Sequence, residues 1–291
     1  MAASKPNPSA APQDAEDAIH RVYGAFSLDD AGSLAADLPI LSDLDESARA
    51  RILRDAARYG ATECVRLLLS IADPTLVDAS EAGHLRATPL MAAAVAGHTR
   101  CVELLLPLSD PAARDLYGET ALTLAFFMGA PIECQRMLLA VGDPADTDRN
   151  GMTLLMLAAC DSHLDSIDLL APISDFSARD NDGDTALAIA ISRENVDVAL
   201  RLLPRSDPNA ICNNGQSAFD LAVLRGAWAL VDAMAPRVPR ARADEALLLA
   251  GPKNMPQWTA WLERESLASA IEPGLPAENP PEPHPALHRR I

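Results

Sequence analysis

The sequence predicts an all-α solenoid of stacked helix-turn-helix units, with turn or β-hairpin tips and a helical cap at each end. Three observations carry this. Apolar residues make up 49% of the 291 while aromatics are only 4%, so burial must rest on Ala, Leu, Val and Ile in close-fitting helices rather than on sandwich strands. A Thr or Ser standing two residues ahead of Leu or Phe recurs at Thr88, Thr120, Thr153, Thr185 and Ser217, at spacings of 32, 33, 32 and 32 residues. Each unit holds two short runs of helical periodicity separated by a Gly or small polar break, such as 121–128 and 132–140. Neither run can bury its apolar face alone, so neighbouring units must stack.

From the N-terminus, residues 1–13 are expected to be disordered and 14–45 to form capping helices. The helices are read over Ala15–Phe26 and Leu28–Leu38, with Ile19, Val22, Tyr23 and Phe26 on one face, and a degenerate zeroth unit is the alternative to a plain cap. Residues 46–239 form the array, about six units. The first unit, around Ala56–Gly60 and Val65–Leu69, lacks the Thr-x-Leu opening and is followed by a longer loop through Ala82, Gly83 and His84. In the later units a glycine stands two residues ahead of the anchor (Gly118, Gly151, Gly183, Gly215), reached three times through Asp-x-x-Gly (Asp115, Asp148, Asp180), a polar turn whose glycine takes φ > 0. Asp-Pro steps at 73–74, 110–111, 143–144 and 207–208 end their units by stopping the second helix, with Asp175-Phe176 the exception. The predicted core is Leu90, Leu122, Leu155, Leu187 and Phe219 with the second-helix leucines, closed by small residues at Ala93, Ala125, Ala158, Ala190 and Ala222. Residues 240–271 read as a final helix pair whose Trp258 and Trp261 seal the last unit or anchor a partner. Residues 272–291, with six prolines, read as an extended, disordered tail.

The stretch TPLMAAAVAGHTRCVELLL at 88–106 resembles the ankyrin repeat family, with Thr88, Pro89, Leu90, Ala92, Ala93, Gly97, His98, Val102, Leu105 and Leu106 in register. Five units agree in period and motif, and the resemblance covers about residues 50–239. The resemblance implies a protein-interaction module. Where the family carries a histidine, this chain has Met91, Thr123, Met156, Ala188 and Asp220, so the family's histidine ladder across units is not expected.

Composition narrows the function further. With 41 acidic against 24 basic residues and a formal charge of −17, the surface repels phosphate backbones and anionic lipid, so neither nucleic acid nor membrane is expected as partner. Only Lys5 and Lys253 are lysines; with the richness in Ala this suggests a GC-rich, bacterial coding genome. The five cysteines lack any CxxC pair, and none of the six histidines pairs with a Cys or carboxylate at ligand spacing, so no disulfide frame, metal or cofactor is expected. No P-loop, GxSxG or HExxH occurs, and the chain is not expected to be an enzyme. His98 and His163, equivalent in their units, are expected to pack the start of the second helix on a neighbouring turn. The N-terminus has no apolar run behind Lys5, which reads as cytoplasmic; delivery into a host cell is the alternative.

If the resemblance holds, a partner meets the turn tips and the last two residues of each first helix. Units two and three offer Leu85, Val95, Leu116, Tyr117, Phe127 and Met128. Met152 lies at the next tip, and units four and five offer Asp161, Asp182, Asp184 and Arg193. An apolar patch beside an acidic one suits a partner with an apolar anchor ringed by basic residues. Phe127 or Met128 could instead tuck between neighbouring helices, and Asn or Asp at a tip is what turns require anyway. The expected role is a monomeric, non-enzymatic adaptor that binds another protein, a basic one being the candidate the charge suggests. The competing readings are an acidic inhibitor or immunity-type protein that neutralises a basic enzyme, and a host-directed effector.

Overall fold

The computed structural model describes residues 11–76, 86–243, 245, 246, 260 and 263. Leu85, the two cap tryptophans and the proline-rich tail lie outside them. Helices come in pairs: α1 (Ala11–Leu28) with α2 (Ala31–Ser42), α3 (Glu46–Tyr59) with α4 (Thr62–Leu68), α5 (Pro89–Val95) with α6 (Thr99–Leu105), and α7 (Ala121–Phe127) with α8 (Ile132–Leu139). Then follow α9 (Leu154–Cys160) with α10 (Leu164–Leu170), α11 (Ala186–Ser192) with α12 (Val196–Leu202), and α13 (Ala218–Arg225) with α14 (Trp228–Met234). First helices pack on first helices and second on second along the stack.

The recurring Thr or Ser is the N-cap of each first helix. Thr88, Thr120, Thr153, Thr185 and Ser217 are extended, and each hydroxyl accepts the N–H of the residue three positions on. That third residue is where the resemblance expected histidine. Thr123 and Asp220 accept the cap's own N–H at 2.8 Å, and the Met91 and Met156 sulfurs do so at 3.4 Å, while Ala188 has nothing to offer. At Thr123 and the two methionines the group serves its own helix, and Asp220 does so as well as taking Arg242 from the helix that follows.

The predicted core is realised: Leu90, Leu122, Leu155, Leu187 and Phe219 are buried, as are the five alanines, in one cluster running from Val22 to Ala246. Side chains at the start of the second helices bind unit to unit. The His98 ring nitrogen Nε2 is 3.0 Å from the carbonyl of Arg58, and the Asn195 amide donates to the carbonyls of Ala159 and Cys160 at 3.1 and 2.8 Å. Asn195→Ala should therefore cost about 1–2 kcal/mol, because two buried carbonyls lose their donor, and urea unfolding would read it.

The N-terminal helices are longer than predicted. α1 begins at Ala11, ahead of the expected boundary at 14, and α2 reaches Ser42, its start fixed by Asp30, whose carboxylate accepts the N–H groups of Gly32 and Ser33. The pair takes the place of a preceding unit, since α1 packs on α3 and α2 on α4 as α3 does on α5 and α4 on α6. Asp29 accepts the N–H groups of Glu63 and Cys64 at the head of α4, at 2.9 and 3.1 Å. At the other end a helix starting at residue 240 buries Ala243 and Ala246, and Arg242 pairs with the carboxylate of Asp220, which is fully buried.

The tips are turns rather than hairpins: among the described residues the only extended pairings are the isolated bridges Thr147–Thr153 and Ile211–Ser217. Asp115, Asp148 and Asp180 each accept two backbone N–H groups, two and four residues on, and each donates its own N–H to the carbonyl four residues on, which closes the tip as a tight turn.

Candidate functional site

The loop between first and second helix fixes a register for the surface. Its first residue has positive φ in every unit: Gly60, Gly97, Gly129, Ser162 (φ 21°), Glu194 (φ 63°) and Gly226, and between α1 and α2, Asp29 (φ 50°). The residue before it closes the first helix and is aligned from unit to unit as Leu28, Tyr59, Ala96, Met128, Asp161, Arg193 and Arg225. One further back the row reads Ser27, Arg58, Val95, Phe127, Cys160, Ser192 and Leu224.

These two rows bring the sequence-predicted helix ends together. Val95, Phe127, Met128, Asp161 and Arg193 are all exposed along them, with Phe127 48% and Met128 52% accessible. The rows also add two residues that sequence reasoning missed, Tyr59 at 53% and Leu28 at 80%. Tyr59 lies in the first unit read at Ala56–Gly60, but without the Thr-x-Leu anchor its helix end was not counted among the exposed positions. For Leu28 the available signal was Asp29, 31 residues ahead of Gly60, in the period of the array. Cys160 is buried, so the apolar run ends at unit four, where Asp161 takes over.

The tips flank the rows. Leu116 and Tyr117 are exposed, but the Tyr117 ring is covered on one face by Arg149 of the next tip, whose guanidinium carbon lies 4.5 Å from the ring centroid. Met152 differs from the expectation of a free tip residue: its side chain packs against the core, since its chain segment turns inward to the Thr153 cap. Asp182 is exposed and Asp184 is half-buried. The neighbouring asparagines are spent on the fold. Asn181 donates its backbone N–H to the carbonyl of Asn150 and its amide to that of Arg149, and Asn213 repeats this on Asp182 and Asn181.

Charge is unevenly spread. Around units four and five the tips and helix ends carry Asp148, Asp161, Asp180, Asp182 and Asp184 against Arg149, Arg179 and Arg193. Arg179 is bonded to the carbonyls of Gly183 and Ile211, and Arg149 to the Tyr117 face. Burial, and then the carboxylates around them, push the acids of Asp180 and Glu119 above their ordinary range. The five thiols are buried and burial raises each, Cys64 and Cys212 to about 12 and Cys134 to about 11, so they stay protonated and fill space. Among the described residues no cluster of three His, Cys, Asp or Glu could hold a metal ion, and no helix is long and apolar enough to cross a membrane.

A family model described as ankyrin repeats matches in three overlapping copies, over residues 53–148, 131–212 and 155–237. No curated protein matches the chain.

Proposed function

The chain belongs to the ankyrin repeat family, whose repeats mediate protein–protein interaction, and from that premise we propose that it is an adaptor binding a protein partner through its first-helix ends and turn tips. One observation carries this reading: in four consecutive units a large apolar side chain stands exposed at one or other of the last two positions of the first helix, Leu28, Tyr59, Val95, and Phe127 with Met128, backed by a core that is already complete without them. A stacked array holds them at fixed spacing, so little ordering entropy remains to be lost on binding. Tyr117 and Phe127 are two exposed aromatic rings of this surface, one at a tip and one at a first-helix end.

The test compares affinity capture by the wild type and by a Tyr117→Ala/Phe127→Ala variant. The expected result is loss of the captured partner by about tenfold or more, with a melting temperature within about 2 °C of wild type, as truncation of exposed side chains costs little stability. Equal recovery by both proteins removes this patch from the binding face.

A second reading is favoured by the carboxylates around units four and five and the charge of −17: an acidic inhibitor that neutralises a basic enzyme. For such a pair the association rate should fall about tenfold or more between low and physiological salt, because steering over an acidic face is screened. A salt-independent rate leaves the adaptor reading alone. Stopped-flow mixing of the captured pair at two ionic strengths separates the two.

A further inference from the structure

We infer that Asp220 and Arg242 form a clasp at the C-terminal end of the array, which fixes the register of the helix starting at residue 240 and can open while the units beneath it stay folded. The clasp lies apart from the first-helix ends, so it holds or fails independently of the binding face.

The charge at position 220 sets this unit apart. Asp220 is the third residue of α13, a place that Met91, Thr123, Met156 and Ala188 fill in the units before it. Capping does not call for a charge there: Thr123 accepts the N–H of Thr120 at 2.8 Å, as Asp220 accepts that of Ser217. Burying a carboxylate is costly unless it is paired, and Asp220 is fully buried, with its Oδ1 left without a partner among the described residues. A neutral residue would cap α13 at less cost, so the charge serves the contact with Arg242.

Arg242 is the cation that answers it. On Oδ2 converge the N–H of Ser217, its hydroxyl at 2.9 Å and one guanidinium nitrogen of Arg242. A second nitrogen of that guanidinium is held by Glu245 at 3.1 Å, one turn on, which aims the group inward. The other helices packed on α13 bring no cation: α11 has no charged residue and α14 has only Asp232, while Arg225 at the far end of α13 is engaged by Glu194. The helix from 240 also lacks a Thr-x-Leu anchor, and its buried side chains among the described residues are Ala243 and Ala246. Methyl groups fit several registers, whereas a buried carboxylate under one guanidinium fits a single one.

Two states follow from this geometry. Closed, the two charges neutralise each other out of water. Open, Asp220 regains hydration and the Ser217 cap survives, since both Ser217 donors reach Oδ2 without Arg242. Opening therefore costs the ion pair and the alanine packing but leaves α13 capped, which is the condition for a local rather than a global transition.

Hydrogen exchange read by mass spectrometry on the full chain tests this with Asp220→Thr, which borrows the residue of unit three, with Arg242→Ala, and with both together. The expected result is exchange over 240–246 about tenfold or more faster in each single variant, with 186–225 unchanged. The double variant should show no further gain, because either change breaks the same pair. Arg242→Lys should stay within about threefold of wild type, since a single N–H contact to Oδ2 asks for charge rather than for a planar fork. Unchanged exchange over 240–246 in both single variants, or additive acceleration in the double, would overturn the clasp. Acceleration that spreads to 186–225 in both single variants would do the same, by making the pair part of one cooperative core.

Discussion

Phe126→Ala should lower the unfolding free energy by about 3–5 kcal/mol, while Phe127→Ala, one residue on, should lower it by less than about 1 kcal/mol. The two rings differ only in which way their helix turns them. Phe126 is fully buried and belongs to the continuous core, so truncation removes its transfer free energy and leaves a cavity between units that are held apart by their own backbones. Phe127 is 48% exposed and leaves no such void. Urea unfolding of the two variants gives the contrast directly. A loss above about 2 kcal/mol for Phe127→Ala would assign that ring to the core and remove it from any binding face.

The second large effect is expected at Gly129, where the array needs both a left-handed backbone and an empty space. Its φ is +62°, and a Cβ there would come within 2.0 Å of the His163 ring from the next unit. Gly129→Ala should cost about 3 kcal/mol: about 1–2 from the left-handed conformation and the rest from displacing the imidazole. Two controls divide the sum. Gly118, at φ +80°, has nothing within 4 Å of its would-be Cβ, so Gly118→Ala should cost only the conformational part. Adding His163→Ala to Gly129→Ala should return the steric part, so the two changes should couple in a double-mutant cycle. Independent, additive costs would show that His163 is free to move aside.

Much of this molecule was legible as periodicity, because a residue that caps a helix is needed once per unit and the spacing of Thr88, Thr120, Thr153, Thr185 and Ser217 is therefore the spacing of the fold. The same alignment located the core leucines and Phe219. It also placed His98 and His163, which pack on Gly60 and Gly129 as expected. What periodicity could not decide was whether α1 and α2 make a unit of the array or a plain cap. Their sequence carries no Thr-x-Leu anchor and an aspartate takes the positive φ, so the stacking is seen only in three dimensions. The candidate site divides in the same way. Leu116 and Met152 both read as tip residues, yet Leu116, directly after the turn Asp115, is exposed, while Met152, directly before the Thr153 cap, is packed inward, since a tip leaves the core at one end and rejoins it at the other. Asparagine at a tip reads as turn chemistry, and the bonds of Asn181 and Asn213 to the preceding tip are visible only once the units are stacked.

Those bonds have a direction. His98, Asn181, Asn195, Asn213, Arg205 and Arg237 all reach back to a carbonyl of the preceding unit, with Arg179 and Asn209 reaching forward as exceptions. A ribosome delivers the chain in this same order. Each unit that emerges brings its donors to a surface of waiting acceptors on a unit already in place, and the growing end exposes carbonyls, which water satisfies easily. Synthesis and stacking thus advance in step, and a nascent chain halted between units leaves a shorter array rather than an unfinished one.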